Sequence, residues 1–121
     1  MKTFSSLGIS KELIKGLNEI KIVQPTEIQD KTLSVLIKKE TDFIGLAQTG
    51  TGKTAAFGLP ILQKIDASKN EVQALIIAPT RELVQQIKKQ LFKFTKYVPE
   101  RIFLEKDYRG LRFEMQGKKL P

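Results

Sequence analysis

The 121-residue chain has no cysteine, no histidine and no tryptophan. Without cysteine there is no disulfide. Without cysteine or histidine, thiolate and imidazole metal sites are excluded, as are Ser-His and Cys-His catalytic pairs. No apolar run approaches the roughly 20 residues that a membrane-spanning helix needs. The first ten residues, MKTFSSLGIS, lack the apolar centre of a secretory signal. The chain is therefore predicted to be cytoplasmic, with no membrane contact. What is present is ordinary for a globular protein: 40% apolar and 28% charged residues, in a length that suits one small domain. The formal net charge is +8. Residues 81–121 hold 11 Lys/Arg against 5 Asp/Glu, so the excess lies in the last third, where a polyanionic partner would be favoured.

Along the chain, continuous apolar runs alternate with amphipathic stretches. Ser10 is placed to cap a helix over Lys11–Asn18, and Thr26 to cap one over Glu27–Lys38 after Pro25. Phe43–Ala47 reads as a buried strand, followed by a glycine-containing turn and a helix from Lys53 toward Ile65. Ala74–Ala78 reads as a second buried strand, closed by Pro79. Thr80 then caps a long helix with Leu83, Ile87, Leu91, Phe94 and Val98 on its apolar side, and Pro99 ends it. Lys88, Lys89, Lys93 and Lys96 fall on other faces and read as a solvated surface. Ile102–Leu104 is a third strand candidate, and no element is assigned after Glu105. The alternation predicts an α/β fold, a parallel sheet with helices on both faces.

One stretch carries chemistry. AQTGTGKT, residues 47–54, ends as a phosphate-binding loop does, in Gly-Lys-Thr, but opens on Ala47 where the pattern has glycine. Alanine fits if its φ is negative, since only φ > 0 demands glycine. A strand before and a helix after are the required context. In such a loop the backbone N–H groups of Gln48, Thr49, Gly50, Thr51 and Gly52 face phosphate oxygens, and the helix N-terminus adds partial positive charge. Lys53 would reach the β- and γ-phosphates and the Thr54 hydroxyl would hold Mg²⁺. The competing reading is a glycine-rich strand-to-helix turn with no ligand.

Three stretches together resemble the DEAD-box ATP-dependent RNA helicases: AQTGTGKT (47–54), PTRELVQQI (79–87, similar to motif Ia) and PTEIQ (25–29, similar to the Q motif) preceded by Phe4. Alanine at the head of the loop is usual in that family. The resemblance runs over residues 4–104 and implies a RecA-like phosphate-loop NTPase lobe that binds ATP, Mg²⁺ and RNA. It makes Lys53 and Thr54 the catalytic candidates. By the same resemblance Gln29 reads the adenine edge, Phe4 stacks on the base, and Pro79, Thr80 and Arg81 hold the RNA backbone. An amide suits adenine because it donates and accepts at once, and backbone contacts make RNA binding unspecific and salt-dependent.

The chain also departs from the pattern. Lys21 and Ile22 stand where the family has a glycine and an aromatic, and Glu27 where proline is common. Tyr108 is followed by Arg109 and Gly110 rather than two glycines. No Asp-Glu-Ala-Asp occurs, nor the later serine-alanine-threonine motif, nor a second lobe. The resemblance thus predicts the front part of a first lobe, truncated or completed by a partner chain, that binds nucleotide weakly, hydrolyses it hardly at all and does not unwind RNA. The alternatives are a different phosphate-loop protein, such as a small nucleotide kinase, and a basic RNA-interaction fragment without nucleotide function.

Overall fold

The computed structural model describes residues 2–48, 50, 52–69, 71–99, 103–107 and 112–116. In chain order these form α1 (Lys11–Glu19), α2 (Glu27–Leu36), α3 (Lys53–Lys64), β1 (Val72–Ile77), α4 (Arg81–Phe94), β2 (Phe103–Asp107) and β3 (Arg112–Gln116). The hydroxyl residues foreseen as caps start their helices. Ser10 accepts from the Leu13 N–H, Thr26 from Gln29 and Thr80 from Leu83, each satisfying one of the unpaired amides of a first turn.

The helices pack against one another, α2 on α3, and both α1 and α3 on α4. Leu17, Leu33, Leu59, Val84 and Leu91 are fully buried between them. Val84, one residue on from the predicted Leu83, is the buried member of the first α4 turn, while Leu83 is 37% exposed. The N-terminal turn is tied down by Gln63 of α3, whose amide donates to the Gly8 carbonyl at 2.6 Å and accepts from the Ser10 N–H at 3.2 Å. At the other end Lys96 contacts Glu19 at 2.6 Å, and Lys15 sits 4.4 Å from the centre of the Tyr97 ring. Phe4 belongs to this core, 2% exposed.

Two expectations about the sheet are corrected. First, the strands pair antiparallel, in the order β1-β3-β2. β1 and β2, joined through α4, do run in the same direction, as a β–α–β unit requires. But β3 folds back from β2, with Asp107 opposite Arg112, and takes the ladder position beside β1. The local hairpin supplies β1 with its hydrogen bonds without a second crossover. Second, helices do not cover both faces of β1. Ile76 is buried, at 8%, whereas Leu75 and Ile77 on the opposite face are 47% and 70% exposed.

The predicted strand over Phe43–Ala47 is not formed. Residues 41–48 lie in no helix or strand, with Ile44 and Leu46 88% and 91% exposed. A buried parallel strand needs a ladder partner on its flanks, and the three described strands bond only to one another. The same apolar run that reads as a core strand therefore lies in water. Ile102 of the third strand candidate lies outside the described residues; β2 begins at Phe103 and continues past the Leu104 limit to Asp107. β3 forms where no element was assigned.

Candidate nucleotide and nucleic-acid site

The site is assembled around the start of α3. Its N-cap is Gly52, at φ 84° in the left-handed region, and no side chain caps the helix. Gly50 has the same φ. α1, α2 and α4 all open on a hydroxyl that accepts a first-turn amide. Among the described residues, α3 alone of these four has no side-chain cap on its first turn, where the helix carries its partial positive charge. The Gly52 carbonyl accepts the Ala56 N–H at 3.2 Å, which fixes the first turn. Lys53 is exposed at the first helical position and Thr54, partly buried, follows it. Ala47 does not adopt positive φ; Lys21 is the one non-glycine among the described residues that does. The backbone therefore places no glycine demand on the head of the loop.

Gln29 ties this loop to α2. Its side chain is 1% exposed. The amide oxygen accepts from the Thr26 N–H at 2.9 Å, completing a capping box. The amide nitrogen donates to the Gly52 carbonyl at 3.1 Å. These two bonds fix which end of the amide is donor and which acceptor. Among the described residues, one N–H and one oxygen lone pair remain on the side chain, the pairing that an adenine edge would need.

Gln29, Gly50, Gly52, Lys53 and Thr54 share an open cavity of about 920 Å³, which extends along the bare face of β1 to Pro79. Ile22 lines it as well. Phe4 does not; it lies in the core cluster of the helices. Ile22, three residues before Pro25, is an apolar side chain of this cavity that the motif stretches do not include. Gln48 is exposed beside the loop, and Thr49 and Thr51 lie outside the described residues. Pro79, Thr80 and Arg81 join β1 to α4, all three exposed. The Thr80 oxygen is engaged as a cap by the Leu83 N–H at 3.1 Å. No group of three or more Asp, Glu, His or Cys residues that could hold a metal ion is found among the described residues. Among the same residues, no helix is long and apolar enough to cross a membrane.

The chain is similar to known proteins over most of its length. The family profile described as DEAD/DEAH box helicase matches residues 26–120. An ATP-dependent RNA helicase CshA of Listeria monocytogenes is 50% identical over 95 residues, 78% of this chain and 18% of that protein. A DEAD-box ATP-dependent RNA helicase CshA of Geobacillus kaustophilus is 47% identical over 93 residues, 77% of this chain and 20% of that protein. The chain thus spans about a fifth of the length of the curated relatives it matches. Among solved structures, S. cerevisiae Dbp5 bound to RNA and ADP BeF3 superposes with a TM-score of 0.77 at 35% identity, over 81% of this chain and 25% of that one. The RNA-helicase Prp28 from Chaetomium thermophilum bound to ADP gives 0.75 at 37% identity, over 84% and 26%. The fold is accordingly a partial RecA-like α/β domain, and the small-kinase alternative falls away. The phosphate-loop stretch, the Q-motif stretch and the overall match converge: the chain belongs to the DEAD/DEAH box helicase family.

Proposed function

We propose that this chain binds the phosphates of ATP at the start of α3 and the backbone of RNA at the start of α4, as part of an ATP-dependent RNA helicase. The observation that carries the first half is the uncapped N-terminus of α3, opened by a left-handed Gly52 and held in place by Gln29. A helix start without its own cap, preceded by glycines and followed by an exposed lysine, is an anion site. Lys53 would supply a charge-assisted contact to the outer phosphates, and the backbone from Gln48 to Gly52 would supply N–H donors. The remaining donor and acceptor on Gln29 would read the adenine edge, with Ile22 giving the base an apolar wall in place of an aromatic ring.

The donors present fit the phosphates better than they fit Mg²⁺. For the metal they supply one hydroxyl, that of Thr54, and no carboxylate cluster among the described residues. Mg²⁺ would supply charge neutralisation for phosphoryl transfer. With so few protein ligands we propose binding by this chain and negligible hydrolysis or unwinding. Pro79, Thr80 and Arg81 would contact RNA through its phosphates, with the α4 N-terminus assisting. That half draws on the relatives named as RNA helicases and on the RNA-bound Dbp5 neighbour.

The test is a titration of the purified chain with a fluorescent Mg-adenine nucleotide, competed with unlabelled ATP and GTP. ATP should displace the probe and GTP should not. Lys53→Ala should weaken binding roughly tenfold to a hundredfold, the range for a hydrogen bond to a charged group, with no change in thermal stability since Lys53 is exposed. A folded chain with no nucleotide affinity that Lys53 controls would end this reading.

A further inference from the structure

Gln85, Lys88, Lys89, Phe92 and Lys93 follow one another at helical spacing and form one stripe on the outer flank of α4, where they line a shallow depression of about 390 Å³. The stripe lies opposite the buried residues Val84, Ile87, Leu91 and Phe94. It shares no residue with the cavity that holds Lys53. Two features set it apart from a merely solvated face. Phe92 is 70% exposed, an aromatic residue mostly in water in the middle of the stripe. And among the described residues Lys88, Lys89 and Lys93 enter no ion pair. Glu19, the last residue of α1, is taken by Lys96, and Glu82 lies back in the first turn of α4.

We propose that this stripe is a docking surface for single-stranded RNA, with Phe92 stacking on an unpaired base and Lys88, Lys89 and Lys93 meeting the phosphates around it. An aromatic platform among unpaired cations is the combination that single strands recognise, because every base has a face to stack and every nucleotide a charge. An acidic protein would satisfy the lysines and leave the ring unused. A membrane surface would need an apolar helix face to bury, and apart from Phe92 the apolar residues of α4 face the core or the large cavity. The stripe makes no use of the phosphate loop, and it lies apart from Pro79, Thr80 and Arg81. A strand held there would add affinity without reading sequence.

The chain contains no tryptophan, so Phe92→Trp places a single reporter in the stripe. A short oligouridylate should quench its fluorescence saturably, and a duplex RNA of equal length should quench it less. Phe92→Ala should weaken binding of the single strand about tenfold, the order expected for one lost stacked base. Replacing Lys88, Lys89 and Lys93 together by glutamine should lower the slope of log affinity against log salt by about 2, at roughly 0.7 per phosphate contact. Phe92→Ala and the triple glutamine variant should leave Mg-adenine-nucleotide binding unchanged, which separates this surface from the proposed nucleotide site. Equal quenching by polyglutamate, by anionic lipid vesicles or by the duplex would overturn the proposal. So would a salt slope that the glutamine variant leaves intact.

Discussion

Gly50 and Gly52 offer a controlled comparison within one loop. Both sit at φ 84°, so alanine at either position carries the left-handed penalty of about 1–2 kcal/mol. Their surroundings differ. A Cβ on Gly50 would meet nothing within 4 Å, whereas one on Gly52 would collide with the amide nitrogen of Gln29. That amide is 1% exposed and cannot swing into water without breaking its bonds to the Gly52 carbonyl and the Thr26 N–H. Each bond is worth about 1 kcal/mol net, more if a buried group is left unpaired. Gly50→Ala should therefore cost about 1–2 kcal/mol and Gly52→Ala about 3–5 kcal/mol, measured by urea unfolding. Combining Gly52→Ala with Gln29→Ala removes the collision. The double variant should be more stable than the sum of the singles implies, with a coupling of about 1–3 kcal/mol. Equal costs at Gly50 and Gly52, or strict additivity in the double variant, would show that Gln29 does not brace the loop.

Lys21, at φ 65°, stands in the left-handed region with a side chain, so Lys21→Gly should raise stability by about 0.5–1 kcal/mol in the same assay. Leu59 is fully buried between the helices, and Leu59→Ala should cost about 2–5 kcal/mol. The hydrogen bond from Lys96, followed by that from Tyr97, holds the Glu19 carboxyl below its ordinary value. A depressed carboxyl contributes stability above its unfolded pKa and loses it as pH falls through the folded one. The gap between the native chain and Glu19→Gln should therefore narrow on acidification, seen in unfolding midpoints across the acid range, and shrink further in high salt. Ile77, 70% exposed on the bare face of β1, should contribute more to self-association than to folding. Ile77→Thr should lower light scattering at high protein concentration while leaving the unfolding midpoint nearly unchanged.

The parts of this molecule that were legible in the sequence are those decided locally. Ser10, Thr26 and Thr80 cap helices because a hydroxyl beside an amphipathic run satisfies an amide within its own turn. The glycine turn into α3 was legible for the same reason: Gly50 and Gly52 act through their own backbone, both at φ 84°. What could not be read was decided by partners distant in sequence. Phe43–Ala47 has the composition of a buried strand, but a strand is defined by its ladder, and none of the described strands lies beside it. β1 was found, yet not that β3 would occupy its flank. Phe4 illustrates the limit, since an aromatic near a nucleotide motif can stack on a base or fill a core, and the sequence does not say that its ring lies away from the cavity that Gln29 lines.

Ala47, a departure from the general phosphate-loop pattern, and Lys21, a departure from the helicase pattern, make the same point with opposite signs. Ala47 replaces the glycine of the general phosphate-loop pattern at a position where φ is not positive, so the substitution is free of backbone strain. Lys21 replaces the family's glycine at a position where φ is 65°, so that substitution carries a left-handed penalty just ahead of the Q-motif stretch. In the sequence both are one missing glycine. Only the backbone dihedral separates a tolerated variation from a strained one, and it places the strain next to Ile22 on the wall of the candidate nucleotide cavity rather than in the phosphate loop. If the cavity binds a base, relief of that strain by Lys21→Gly should let Ile22 settle against it and raise adenine-nucleotide affinity, while Ala47→Gly should leave affinity unchanged. The reverse result would mean that the head of the loop, not the approach to Gln29, limits binding.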